Sequence, residues 1–224
     1  MLMTPEEALI KAAGTNQLHW IEHLLDRFDG DLVDAIASAA ANGHVDMIIR
    51  LVHEIGEREN LADSERDTSE DEGEAVAQRT AVKTRRALRN AVQAAATHGW
   101  VNAVSMFLSQ IVGSSTNEEV LGEIHEATWQ VLENAAEKGR LAVVKFVVDY
   151  EWGYIEMYAA TNGDFDALTR AITCYHDYIA TCLLQICSVQ WNMNTAYEAA
   201  IESQRSELVE WIYALSSQSG DETD

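Results

Sequence analysis

Proline occurs once and glycine twelve times in 224 residues, and short β-branched runs bounded by turn signals are scarce, which argues against sandwiches and barrels. Alanine is abundant and 47% of the residues are apolar, so a helical chain with a continuous core is expected. Positive charge is also scarce: 15 lysines and arginines face 37 acidic residues, for a net charge of −22. Phosphate backbones and anionic membrane surfaces are held mainly by lysine and arginine, so neither nucleic acid nor a membrane is an expected partner. No apolar run approaches the roughly 18 residues of a membrane span, and Glu6 and Glu7 stand where a signal peptide would be hydrophobic. The three cysteines, Cys174, Cys182 and Cys187, are odd in number and lack metal-type spacing, which fits reduced thiols inside a cell. No Gly-rich phosphate loop, Gly-x-Ser-x-Gly elbow or Cys-His-Asp arrangement is present, so no catalytic residue and no cofactor is expected.

What is present is a recurring pattern, best preserved in Ala39–Val52. Two alanines are followed three residues later by a glycine, then by apolar residues two, five, eight and nine positions past it. This spacing describes a helix, a tight turn and a second helix. A copy before it runs from Leu9 through Ala12, Ala13, Ile21 and Leu25, with Asn16 in the glycine's place. Later copies centre on Gly99, Gly139 and Gly163, and a last one has Gln204 in that place. Between Ala167 and Ile186 two registers compete. Ala167–Tyr175 is either the second helix of the fifth unit or the first helix of a further one, completed by Tyr178, Ile179, Cys182 and Leu183. Thr4-Pro5-Glu6-Glu7 predicts the start of the first helix as a capping box with proline at its first position.

Glu57–Glu74 is strongly acidic and lacks aromatics, and it cannot bury enough to fold. Thr68 and Ser69 within it resemble acid-directed phosphorylation sites. The only basic patch follows directly: Arg79, Lys83, Arg85, Arg86 and Arg89 share one helix, to pair with the acidic stretch or to bind an anionic partner in its place. His19 and His23 stand four apart on one helix face without a third ligand, and no metal site is expected. Among aromatics at repeat edges, Trp100 and Trp129 are the preferred exposed pair, with Tyr154 and Tyr158 as further contact candidates.

The Ala-Ala-x-x-Gly-His string of the second copy, with its apolar residues at two, five and eight, resembles the ankyrin repeat where its first helix ends and its second begins. The resemblance covers about four fifths of the chain, with His44 as the only histidine at its motif position. The Thr-Pro-Leu-His opening is absent, and copies are spaced by roughly 24 to 56 residues instead of a steady 33. The chain looks similar to the divergent ankyrin-like arrays of oomycetes. The resemblance implies an all-α, ankyrin-like solenoid of about six stacked helix-turn-helix repeats with the β-fingers mostly lost. Repeats 1–2 then occupy residues 1–55, an acidic insertion expected to be disordered 56–78, repeats 3–6 or 3–7 of the same solenoid 79–215, and an acidic tail 216–224. It further implies a non-enzymatic scaffold or adaptor that holds a protein partner on its concave face, in cytoplasm or nucleus. A narrower version is a secreted pathogen effector, whose leader precedes this sequence, acting in a host cell. The rival expectation is an enzyme with a composite site on a helical scaffold.

Overall fold

A computed structural model describes residues 3–64, 70–113, 118–149, 166–186 and 191–218. Twelve α-helices and no strand occur among them. They are α1 (Pro5–Gly14), α2 (Leu18–Leu25), α3 (Val33–Ala41), α4 (Val45–Ser64), α5 (Glu70–His98), α6 (Val101–Gly113), α7 (Glu118–Glu137), α8 (Leu141–Asp149), α9 (Ala167–Thr173), α10 (Asp177–Leu184), α11 (Met193–Glu202) and α12 (Ser206–Gln218). The predicted capping box opens α1: Thr4 Oγ1 accepts from Glu7 N at 3.1 Å, and Glu7 Oε2 accepts from Thr4 N at 2.9 Å.

The helices form six pairs, each closed by the same turn. Its central residue is left-handed in every pair: Asn16 (φ 56°), Gly43 (73°), Gly99 (87°), Gly139 (71°), Tyr175 (64°) and Gln204 (57°). The next residue's N–H then reaches back to an alanine carbonyl four residues before the turn centre, as in His44 N to Ala39 O at 3.0 Å and His176 N to Ala171 O at 2.8 Å. This bond satisfies a carbonyl that the end of the first helix leaves open. The turn thus resolves the competing registers: Tyr175 is a turn centre, α9 is a first helix and α10 its partner. His176 therefore stands where His44 does, and His44 is not alone at that position.

The chain divides into two compact units, Met1–Thr116 and Asn117–Asp224. In the first, α1 packs on α3 and α3 on α5, with each second helix against its own first helix. In the second, α7, α9 and α11 form the corresponding row, and α10 packs on both α8 and α12. Alanine explains the close row. In four of the six pairs the positions four and three before the turn are Ala12-Ala13, Ala39-Ala40, Ala95-Ala96 and Ala135-Ala136, all buried, and in the last two isoleucine takes the second place. Between the first and last pairs the second helices bury the positions four, five and eight past the turn, as with Met47, Ile48 and Leu51 or Ala103, Val104 and Phe107. The fourth position lies beside the fifth and eighth on a 3.6-residue helix, although the expected apolar set omitted it.

The stretch expected to lack structure is helical where it is described. Residues 57–64 continue α4 and 70–78 open α5. The reason lies at the start of the stretch. Arg50, Glu54 and Arg58 form an i,i+4 ladder on α4 with N–O distances of 2.9 and 2.8 Å. Arg58 also donates to Phe28 O at 2.5 Å and Gly30 O at 3.3 Å, fastening α4 over the end of the first pair. Thr68 and Ser69 lie outside the described residues, as does the expected copy at Gly163.

Candidate functional site

In three of the six pairs the residue after the turn centre serves the preceding pair. His44 Nε2 hydrogen-bonds Gly14 O at 3.1 Å, Trp100 Nε1 donates to Ala41 O at 2.9 Å, and His176 Nε2 hydrogen-bonds Glu137 O at 3.0 Å. Each bond occupies a carbonyl at the C-terminal end of the preceding pair's first helix. The rings also lie over the preceding turn: a Cβ on Gly43 would come within 2.7 Å of the Trp100 ring, and one on Gly139 within 2.6 Å of the His176 ring. Trp100 is 46% exposed, but its N–H and one ring face are committed to this contact.

The fifth pair departs from this pattern at its turn centre. Tyr175, in place of glycine, is 61% exposed, and Tyr178 three residues on is 84% exposed. From the sixth pair Arg205 lies over the Tyr175 ring, 4.6 Å from its centroid, and pairs with Asp177 through Nη1 and Oδ2 at 3.1 Å. Asp177 Oδ1 and Arg205 Nε are shielded and make no hydrogen bond. Leaving such groups unsatisfied costs about 1–3 kcal/mol, which rearrangement against a ligand would relieve. Asp177, Thr181, Arg205, Glu207, Leu208 and Trp211 line a cleft of about 540 Å³ beside them. An exposed tyrosine ring under the arginine of an Arg–Asp pair, whose cleft also holds a tryptophan, offers flat apolar area with polar handles, the composition that carries affinity in protein interfaces.

No protein-family model matches the chain, and no curated protein does. What this site does therefore rests on its own geometry.

The structure brings few of the sequence-predicted contact residues together. Trp129 is buried at 4% exposure and meets Trp191 edge to face at 6.2 Å. It is a core residue and not half of an exposed pair, because Trp191, whose indole N–H donates to Leu183 O at 3.0 Å, closes over it. Tyr154 and Tyr158 lie outside the described residues. Arg79, Lys83, Arg85, Arg86 and Arg89 all fall on α5. Arg85 and Arg89 are half-buried, and exposed Arg86 lines a cleft of about 370 Å³ with Asp29, Asp31, Ile55 and Arg58. His19 and His23 meet edge to face at 4.6 Å. Among the described residues no group of three histidine, cysteine or carboxylate side chains is placed to hold a metal ion, and no helix is long and apolar enough to cross a membrane. Cys174 and Cys182 are half-buried free thiols, and burial pushes the Cys182 thiol pKa up.

Two carboxylates are shifted by their partners. Burial raises the pKa of Glu54, but hydrogen bonds from Arg58 and Arg50 outweigh it and hold the group below the ordinary glutamate value. Glu137 is lowered by Lys138 and then by Arg170, which reaches it from the neighbouring pair at 2.8 Å. Glu137 thus joins two neighbouring pairs, whereas Glu54 braces Arg50 and Arg58 along α4. The sequence signal for the tyrosine site was Tyr175-His176-Asp177, a copy of the Gly43-His44 turn disguised by a tyrosine where glycine is the favoured residue.

Proposed function

We propose that the chain is an ankyrin-like solenoid of about six helix pairs that binds a protein partner, and that the turn of its fifth pair is a contact surface. The observation that carries this reading is the 61% exposed Tyr175 ring under Arg205, which with Asp177 and Trp211 lines the cleft, together with Tyr178, 84% exposed and next to Asp177 in the chain. Tyr175 holds a left-handed backbone that costs a non-glycine residue about 1–2 kcal/mol. Its ring is exposed, so the core gains little in return, and a cost of this kind at a surface position fits a functional role. Tyrosine loses little side-chain entropy on binding, and the Arg–Asp pair supplies a donor and an acceptor suited to a peptide group.

The test is quantitative affinity enrichment with the full chain as bait. Wild type should recover a reproducible set of proteins that Tyr178→Ala and Tyr175→Ala lose by about tenfold, the effect of removing a hot spot. Lys145→Ala, on the exposed side of α8, serves as the control substitution. An unchanged set in both tyrosine variants, or no reproducible protein with wild type, overturns the reading.

A further inference from the structure

Comparison of the six pairs at equal distances from their turn centres isolates the residues that are exposed where their equivalents are buried. Four residues past the turn, Met47, Ala103, Val143, Ile179 and Leu208 are all buried, but Trp20 of the first pair is 59% exposed. Trp20 lines a largely apolar cleft of about 410 Å³ with Met3, Ala8, Lys11 and Leu24. Three residues before the turn, Ala13, Ala40, Ala96, Ala136 and Ile172 are each at 0% exposure, but Ile201 of the last pair is 51% exposed. Nine past the turn, Leu25, Leu108 and Leu184 are buried, but Tyr213 is 66% exposed, with Tyr197 against it at 6.5 Å. The first pair therefore presents the face that within each unit receives a preceding pair, and the last pair the face that within each unit receives a following one.

The charges on the two open faces match in the same register. Within the second unit, Arg170, five residues before its turn centre, reaches back to Glu137 at 2.8 Å and Glu133 at 3.5 Å, two and six before theirs. On the open faces the equivalent residues are Lys11 on the first pair and Glu202 and Glu198 on the last. Within the first unit, Arg50, seven past its turn centre, meets Glu22, six past its own, at 2.8 Å. The equivalents are His23 on the first pair and Glu210 on the last.

From these matches we infer that a second copy of the chain docks head to tail, its first helix pair seated on the last pair of the first copy. Trp20 then covers the face carrying Ile201, Tyr197 and Tyr213, and Lys11 enters between Glu198 and Glu202. The contact is heterologous, so each copy keeps one open face and further copies can add. It does not rest on the tyrosine site described above.

The experiment is sedimentation velocity on the full chain over a concentration series, with two single-face variants, Trp20→Glu and Ile201→Glu. Both substitutions are at exposed positions, and circular dichroism confirms that the variants fold. Wild type should rise from the 24.9 kDa chain mass to twice that and beyond as concentration increases. Each variant alone should stay at one chain. Mixed in equal amounts, they should form a dimer and stop there, because one retains the intact last-pair face and the other the intact first-pair face. A milder pair, Lys11→Glu and Glu202→Lys, should weaken association singly and recover it when mixed. A monomeric wild type at every concentration, variants that self-associate like wild type, or a mixture of the first two that stays monomeric overturns the proposal.

Discussion

At Gly43 the backbone φ is 73°, and a Cβ there would stand 2.7 Å from the Trp100 ring. An alanine at this position meets a disfavoured backbone and a ring that cannot retreat, since its indole N–H is bonded to Ala41 O. Gly43→Ala should therefore lower unfolding free energy by more than about 1 kcal/mol in urea titration. Tyr175 presents the opposite case. Its left-handed backbone costs about 1–2 kcal/mol, and the stacking of Arg205 on its ring returns about 0.5–1 kcal/mol at an exposed site. The backbone cost is the larger, so Tyr175→Gly should stabilise the chain by about 0.5 kcal/mol while weakening partner binding. A variant both less stable and fully able to bind would show that Tyr175 is there for packing.

Along α4, Glu54 bonds Arg50 at 2.9 Å and Arg58 at 2.8 Å, and its side chain is only 14% exposed. Its folded pKa lies below the unfolded one. Its contribution is thus complete above the ordinary glutamate pKa of about 4.3 and is lost as pH falls through the lowered folded value. Glu54→Gln should cost about 1–2 kcal/mol at pH 7, with wild type and variant converging as pH falls through the lowered folded value; a difference that persists in acid would place the effect in packing and not in the charge. This ladder also shows what could be read from sequence. Thr4 and Glu7 announced α1 because a cap is local, and the alanine pairs announced the first helices because the spacing repeats. The continuation of α4 through residues 57–64 was hidden, because Arg58 finds its carbonyl partners at Phe28 and Gly30, thirty and twenty-eight residues away. The burial of Trp129 was hidden for the same reason, since its cover is Trp191, far along the chain just before α11. The tyrosine site escaped because the turn that positions it carries no glycine.

For the molecule as a whole, 37 acidic residues face 15 basic ones, so even if every base paired with one carboxylate, 22 negative charges would remain unbalanced. Two electrostatic effects then respond to salt in opposite directions. Screening relieves the mutual repulsion of the surplus carboxylates, which favours the compact state. It also weakens exposed ion pairs such as Arg170–Glu137, each worth about 0.2–1 kcal/mol. The more buried Arg50–Glu54–Arg58 ladder is screened less, so the losses fall on the exposed pairs, whereas the repulsion acts on all the surplus charge. Raising ionic strength from about 0.01 M to about 0.15 M shortens the Debye length from about 30 Å to about 8 Å. Melting temperature should therefore rise with sodium chloride over this range, by about 2–4 °C for each kcal/mol of repulsion removed. Calorimetry at a concentration where sedimentation shows a single chain separates this effect from self-association. A melting temperature that falls instead would mean that the local pairs outweigh the repulsion of the surplus charge.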